Sequence, residues 1–223
     1  MNKIKVYIDL GHGGNDSGAV NGKHYESHIV LSVGLYLKKL LLETGKFDVK
    51  LSRESDTYKT LEQRTKEANS WGADILVSIH NNSAENKKAC GLETFCYKFK
   101  YRKLADHINN GILQFVQLNN RGVKEGNFHM VRESKMSACL TELAFISNEQ
   151  DLQLLLNRQV DFAKGVFKGI LDYYHIDYTV PTPEPEHKPL YIVGVGAFGD
   201  INNAKKLMKE LKEKGIETYV HMC

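Results

Sequence analysis

The sequence predicts an α/β fold: a mostly parallel twisted sheet flanked by helices, followed by a small β-α-β tail at the C-terminus. Segments of strand composition alternate with segments of helical periodicity, which is the pattern of parallel strands joined by crossover helices. The stretch from Asp74 to Ile79 is almost continuously apolar, as expected of a strand buried on both faces. All four prolines lie between Pro181 and Pro189, and this polar stretch is typical of a linker.

The elements of the main domain follow from composition and periodicity. The first helix has the clearest pattern, because Val30, Val33, Leu37 and Leu41 recur at helical spacing along one face. In chain order the sequence predicts a strand at Lys5–Leu10, a helix at Tyr25–Glu43, a strand at Phe47–Ser52, a helix at Leu61–Trp71, a strand at Asp74–Ile79, a strand at Leu92–Tyr97, a helix at Arg102–Leu118, a strand at Ser137–Phe145 and a helix at Leu152–Tyr174.

The tail is predicted as strand, helix, strand. Its strands are Tyr191–Val195 and Glu217–His221, and the helix between them carries one apolar face formed by Ala204, Leu207, Met208 and Leu211. We therefore predict a main domain at 1–176, a proline-rich linker at 177–189 and a tail at 190–223.

Composition and charge exclude several classes of function. With 30 basic and 27 acidic residues, the formal net charge of +3 gives no electrostatic footprint for a nucleic acid. No run of about 18 apolar residues exists, so no membrane span is predicted. The N-terminus enters a strand at once and lacks the apolar core of a signal peptide, so we expect synthesis in the cytoplasm. The cysteines form no metal-binding spacing and are expected to be free thiols: Cys90, Cys96, Cys139 and Cys223.

Polar residues that can carry chemistry fall where parallel strands end, and ligands of open α/β sheets gather at that edge. His12 lies in a Gly-His-Gly-Gly turn after the first strand, His80 follows the strand that ends at Ile79, and Glu142 lies inside an apolar strand. Glu26 lies on the apolar stripe of the first helix, so we expect it to point inward. Two histidines and one carboxylate can hold a catalytic zinc ion with one open position, and a second carboxylate can act as general base.

Each of these residues also has a structural alternative. The turn at His12 can be an ordinary turn, and His80 can bond a nearby carbonyl. Glu26 can be a solvated first-turn glutamate, with His24 or His28 as ligands in its place. Glu142 can form a structural ion pair; its candidate partners are Arg64 and Arg53. No serine or cysteine competes as nucleophile, because there is no G-x-S-x-G elbow and Cys139 lies in an apolar strand.

Seven stretches resemble the zinc-dependent N-acetylmuramoyl-L-alanine amidases of the type 3 family, found as sporulation mother-cell lytic amidases and as phage endolysins. In the family's order they are Ile8–Ala19, Glu26, Leu51–Asp56, Leu61–Asn69, Ser78–Asn82, Gly91–Phe95 and Leu140–Asn148.

The resemblance implies an enzyme that hydrolyses the amide bond between N-acetylmuramic acid and L-alanine and so lyses the cell wall. It implies one Zn²⁺ per chain on His12, Glu26 and His80, with Glu142 as the catalytic glutamate. Leu10 stands where the family usually has proline. Peptidoglycan is then the expected partner, reached after release from the cytoplasm.

The tail from Leu190 onward resembles one β-α-β repeat of a SPOR-type peptidoglycan-binding domain, which usually holds two such repeats. A single repeat can bind the wall, form a homodimer with a second chain, or do neither. For the main domain, the alternatives are a zinc peptidase that cuts within the stem peptide and a wall-binding protein without catalysis. A nucleotide-binding doubly wound domain would need a phosphate loop, which the sequence lacks.

Overall fold

The computed structural model describes residues 3–177 and 200–214. The chain divides into two compact units, Met1–Val180 and Pro181–Cys223. The predicted linker, apart from Asp177, and both predicted strands of the tail lie outside the described residues.

The described elements follow the predicted order of strands and helices. The strands are β1 Ile4–Leu10, β2 Val20–Asn21, β3 His24–Tyr25, β4 Phe47–Leu51, β5 Ile75–Asn82, β6 Leu92–Cys96, β7 Asn120–Glu125 and β8 Ser137–Phe145. The helices are α1 Glu26–Glu43, α2 Leu61–Trp71, α3 Lys103–Phe115, α4 His129–Arg132, α5 Glu149–Asn157, α6 Gln159–Tyr173 and α7 Ile201–Glu213, with a 3-10 turn at Phe99–Tyr101.

The first unit is built on a six-stranded sheet in the order β4-β1-β5-β8-β6-β7. Strands β4, β1, β5 and β8 run parallel, whereas β6 is antiparallel to β8 and parallel to β7. The prediction of a mostly parallel α/β sheet is confirmed. The carboxyl ends of β1, β5 and β8 therefore meet at one edge of the sheet.

Helices cover both faces of this sheet. Helices α1, α3, α5 and α6 pack their apolar residues against one face, and the predicted stripe of α1 is completely buried there. Helices α2 and α4 pack against the other face, around Tyr7 and Leu76. None of the described helices is long and apolar enough to span a membrane.

Helix α2 matters for the site because it carries Arg64. Its first turn has a capping box, in which the Thr60 hydroxyl accepts from the Gln63 amide and the Gln63 side chain accepts from the Thr60 amide. It ends at Gly72, whose φ of 68° lies in the left-handed region that glycine adopts easily. Sequence alone defines both ends of this helix.

Several predicted elements differ from the structure. The predicted helix Leu152–Tyr174 is two helices, α5 and α6, because Arg158 between them has non-helical angles of φ −123° and ψ 27°. No proline or glycine marks this break. Strand β5 continues to Asn82, so His80 lies within the strand instead of after it. Strand β7, helix α4 and the β2–β3 hairpin are not among the predicted elements.

In the second unit, the structure describes one helix, α7, where the sequence predicts a helix. The Asp200 side chain caps it by accepting from the Asn202 amide at 2.8 Å. The helix has a single half-buried face, formed by Ala204, Leu207, Met208 and Leu211, and its other residues are exposed. This is the predicted apolar face.

Candidate metal centre

The turn after β1 has a strained backbone that two arginines hold in place. His12, Gly13 and Gly14 have φ angles of 61°, 126° and 61°, and a left-handed histidine is uncommon. Arg64 donates to the Leu10 carbonyl at 2.5 Å and to the His12 carbonyl at 2.8 Å. Arg53 donates to the Gly11 carbonyl at 2.9 Å. Hydrogen bonds from two buried guanidinium groups to the backbone carbonyls of this turn therefore fix the conformation of His12.

Arg64 is itself held by a buried carboxylate. Its Nη1 lies 2.9 Å from Asp9 Oδ1, and the Ser78 hydroxyl donates to Asp9 Oδ2 at 2.7 Å. Burial alone would raise the pKa of Asp9, but the charge of Arg64 holds that pKa below its usual range. Because Arg64 bonds Asp9 and Arg53 bonds backbone carbonyls, the alternative of an ion pair between Glu142 and either arginine is wrong.

The structure brings His12, Glu26 and His80 together at the carboxyl edge of the sheet. His12 Nε2 lies 3.3 Å from Glu26 Oε2, and His80 Nδ1 lies 2.9 Å from Glu26 Oε1. One ligand atom from each residue can be chosen so that all of them lie within 4.8 Å of one another. The three side chains come from the turn after β1, the first turn of α1 and the end of β5, so they form a group that could hold a metal ion.

Backbone amides and two glycines shape this group. Glu26 accepts from the amides of Ala19 and Asn81, each at 2.9 Å, which fixes its carboxylate. A Cβ on Gly11 would lie 2.3 Å from the His80 ring, and one on Gly18 would lie 2.6 Å from Glu26 Oε2. Neither position has room for a larger residue. The glycines thus leave space for the imidazoles and the carboxylate to approach one another.

The electrostatics of the three residues are those of a shared cation site. Burial alone would lower the pKa of His80, but its hydrogen bond to Glu26 and the charge of that carboxylate raise the pKa to about 9. Burial acts in the opposite direction on Glu26, and the hydrogen bonds from both histidines lower its pKa. The Glu26 carboxylate therefore favours a positive charge at this point, which a divalent cation can supply in place of the protons on the imidazoles.

Asp16, which was not among the predicted site residues, also contacts this group. Its Oδ2 lies 2.9 Å from His12 Nδ1, which leaves Nε2 of that ring facing Glu26. Metal-binding histidines commonly have such a carboxylate on the second ring nitrogen. Its position four residues after His12 is the only sequence signal, and the turn between them has no regular period.

Glu142 lies beside this group and forms no salt bridge among the described residues. In the sheet register it is opposite His80 on β5 and opposite Glu93 on β6. Directly opposed residues of neighbouring strands point to the same face of a sheet. The Oε2 atom of Glu142 is buried and has no hydrogen-bond partner in the described part of the chain. Burial raises the pKa of Glu142 to about 7, and the carboxylates of Glu26 and Glu93 act in the same direction.

The other candidate residues lie elsewhere. His28 is exposed, and its Nε2 lies 3.7 Å from Asp56. His24 belongs to the β2–β3 hairpin and is not part of the group that could hold a metal ion among the described residues. The Cys139 thiol is buried, and burial raises its pKa, so it is not a nucleophile. Cys90 and Cys96 are free thiols, as expected, and Cys223 lies outside the described residues.

Comparisons with known proteins agree on one family. The family model described as N-acetylmuramoyl-L-alanine amidase matches residues 6–172. The chain is 34% identical to N-acetylmuramoyl-L-alanine amidase CwlM of Bacillus licheniformis and 34% identical to the sporulation-specific N-acetylmuramoyl-L-alanine amidase of Bacillus subtilis (strain 168), over 97% of this chain and 84% of each relative. The solved catalytic domain of CwlV, an N-acetylmuramoyl-L-alanine amidase from Bacillus (Paenibacillus) polymyxa var. colistinus, superposes with a TM-score of 0.76 at 34% identity, over 78% of this chain and 99% of that domain.

Proposed function

Since the chain belongs to the N-acetylmuramoyl-L-alanine amidase family and hydrolyses the amide bond between N-acetylmuramic acid and L-alanine in peptidoglycan, we propose that His12, Glu26 and His80 hold one zinc ion per chain for this reaction. The observation that carries the proposal is the approach of these three side chains to one another from separate elements. Two imidazoles and one carboxylate are a donor set typical of catalytic zinc.

The proposed roles follow from the chemistry of each group. When bound by His12, Glu26 and His80, a zinc ion would polarise the scissile carbonyl and make the attacking water more acidic. Glu142 Oε2 takes a proton from the water as its oxygen bonds to the carbonyl carbon, and passes it to the amide nitrogen as the C–N bond breaks. The products are a free lactyl carboxylate and the free amine of L-alanine. A pKa near 7 suits a group that both accepts and donates a proton at neutral pH.

The surrounding residues keep these groups in place during the reaction. Asp16 orients the His12 ring through Nδ1, and the amides of Ala19 and Asn81 orient Glu26. Arg53 and Arg64 hold the backbone of the His12 turn. Preorganisation of this kind avoids movement of the ligands at the moment of reaction.

Mass spectrometry of muropeptides after digestion tests the proposal. Purified sacculi incubated with the protein should release stem peptides with a free L-alanine amine and leave free lactyl groups on muramic acid, and a chelator should abolish both products. New amines inside the stem peptide would instead identify a zinc peptidase.

For the ligand assignment, His80→Ala should lose bound zinc, whereas the exposed matched variant His28→Ala should keep it. Full zinc content in His80→Ala would contradict the proposed ligand set.

We propose a separate role for the second unit, which is to bind the wall and to pair with the same unit of another chain. The two Bacillus relatives align over 97% of this chain, so they match residues beyond the family model, which ends at 172. In α7, the only half-buried residues are the four of the apolar face, and none is fully buried. A second copy can cover such a face with two-fold symmetry.

A further inference from the structure

The edge strand β7 has a bulge opposite the middle of β6. Leu92 pairs with Asn120 and Thr94 pairs with Val123, so two residues of β7, Arg121 and Gly122, lie opposite Glu93. Gly122 has a φ of 80°, which suits a bulge in which one residue is left-handed. Bulges of this kind redirect side chains and are frequent next to active sites.

The bulge brings two basic residues to the same carboxylate. In a regular strand, residues three apart point to opposite faces, so Arg121 and Lys124 would be separated. The extra residue restores them to one face. Arg121 Nε lies 2.8 Å from Glu93 Oε2, and Lys124 Nζ also donates to that oxygen. The side chain of Asn82 donates to the other oxygen, Glu93 Oε1.

This cluster has more positive than negative charge and is open to solvent on its cationic side. Glu93 is 7% exposed at its side chain, whereas Arg121 and Lys124 are 33% and 40% exposed. In the described part of the chain, the two terminal nitrogens of Arg121 have no hydrogen-bond partner, and its guanidinium carbon lies 5.0 Å from the centre of the Phe145 ring. One cation is enough to neutralise Glu93, so the second is available for an anion.

The cluster lies next to the catalytic carboxyl group. Glu93 is the direct register partner of Glu142, which is the register partner of His80. All three therefore share one face of the sheet. Their order across it is His80, the proposed metal ligand, then Glu142, the proposed general base, then Glu93 with its two cations. Suppose that a substrate binds with its scissile carbonyl at His80 and Glu142. If its remaining residues run across the sheet from β8 towards β6 and β7, they lie over Arg121 and Lys124.

We propose that Arg121 and Lys124, held by Glu93, form a subsite that binds a free carboxylate of the stem peptide next to the scissile amide. The inference rests on the proposed function, because it takes its substrate from that reaction. The carboxyl group of muramic acid is part of the scissile amide bond, so the free carboxylates of this substrate lie on the stem peptide. A planar guanidinium and an ammonium side by side recognise a carboxylate by charge and by geometry.

Paired probes test the subsite: the γ-methylamide of N-acetylmuramoyl-L-alanyl-D-glutamate, whose only free carboxylate is the α-carboxylate of its second residue, and the γ-methylamide of the isoglutamine compound, in which that group is a carboxamide. The wild-type protein should cleave the carboxylate probe with a kcat/KM about tenfold higher or more, the scale of a hydrogen bond to a charged group. In Arg121→Gln and in Lys124→Gln this ratio should fall to about one, mainly through a raised KM for the carboxylate probe. Arg121→Lys should restore part of the ratio.

Arg102→Gln is the matched control. It removes the same charge from an exposed residue that pairs with Asp106 beyond the other end of β6, and the probe ratio should stay at the wild-type value. A purely structural role of Arg121 and Lys124 would change the rates on both probes together and would leave their ratio unchanged. Equal cleavage of the two probes by the wild-type protein overturns the subsite and leaves the amidase activity intact. Cleavage of neither probe contradicts the proposed function itself.

Discussion

At the scale of single residues, partners decide the direction in which burial leaves the pKa of four carboxyl groups: Asp9, Glu26, Glu93 and Glu142. Burial raises the pKa of any carboxyl group, but Arg64 lowers that of Asp9, two histidines lower that of Glu26, and Lys124 with Arg121 lowers that of Glu93. For Glu142, burial outweighs the opposing charge of His80, and the pKa rises to about 7. Of these four carboxyl groups, the one that can hold a proton near neutral pH is thus Glu142, which lies beside the group that could hold a metal ion.

We predict that Glu142→Gln keeps the fold and the zinc ion but lowers kcat by about 10²-fold or more, the contribution of a general base. The substitution is nearly isosteric and removes only the ability to accept a proton. Zinc content and the thermal unfolding midpoint should match the wild type, and muropeptide release should fall. Glu149→Gln, on the first turn of α5, serves as the matched control and should keep wild-type turnover. Normal turnover by zinc-loaded Glu142→Gln would show that Glu142 is structural.

We predict that Arg64→Met lowers the free energy of unfolding by about 3–5 kcal/mol, because it leaves Asp9 as an uncompensated buried charge. The carbonyls of Leu10 and His12 also lose their donor, so the zinc affinity should fall together with stability. Urea denaturation and zinc titration measure the two effects. Arg102→Met, at an exposed position, should change neither. An unchanged unfolding midpoint in Arg64→Met would mean that the Asp9 pair does not stabilise the fold.

The residues of the site differ in how far sequence could reveal them. The sequence placed His12 and His80 at strand ends and Glu26 on an apolar stripe, and the structure brings these three together. Periodicity and the topology of parallel sheets are enough for that. Asp16 follows an irregular turn, and Arg121 and Lys124 share a face only because of a bulge. Neither the turn nor the bulge has a repeating sequence pattern, so residue spacing could not predict either contact.

At the scale of elements, helices α3 and α6 approach closely through glycines. A Cβ on Gly165 would lie 2.5 Å from the Cα of Ile112, and one on Gly111 would lie 2.4 Å from the Gly165 carbonyl oxygen. These contacts are with backbone, so a side chain cannot move aside to relieve them. A helix was predicted at Arg102–Leu118, but its close contact with α6 could not be predicted, because close approach depends on what faces each glycine in three dimensions.

We predict that Gly165→Ala lowers the free energy of unfolding by about 2 kcal/mol, the usual scale of overpacking. The sign is informative, since glycine to alanine inside a helix normally stabilises it by about 1 kcal/mol. Chemical denaturation measures the change. Lys164→Ala, one residue earlier and only partly buried, should shift stability by about 0.5 kcal/mol or less. A stabilised Gly165→Ala protein would show that α3 and α6 are less closely packed than described.

Two elements show why sequence prediction failed locally. Strand β7 contains one apolar residue, Val123, among polar and charged ones, so it has no alternation to detect. As an edge strand it needs little apolar surface. The break at Arg158 carries neither glycine nor proline, and leucines continue through the preceding turn. There, tertiary packing of α5 against β8 and of α6 against α1 and α3 sets the boundary instead of local preference.

At the scale of the whole molecule, the two units have different requirements for stability. The first has a core on both faces of its sheet. The second spans Pro181–Cys223, a length at which a chain seldom buries enough apolar surface to fold alone. Among the described residues of this unit, the side chains of the apolar face of α7 are only half-buried, and Ile201 at its start is exposed. Association with a second copy would supply the missing contacts.

We predict that the full-length protein is a dimer at micromolar concentration and that a chain ending at Tyr178 is a monomer that binds purified sacculi more weakly. Light scattering and co-sedimentation measure the two properties. A matched pair of variants locates the contact: Leu207→Lys, on the half-buried face of α7, should dissociate the dimer, whereas Glu210→Lys, on the exposed face, should not. Both variants introduce one lysine into the same helix, so a difference between them reports the apolar face and not the added charge. If the full-length and shortened chains are both monomers and bind sacculi equally, the second unit neither pairs nor anchors, and the amidase acts without it.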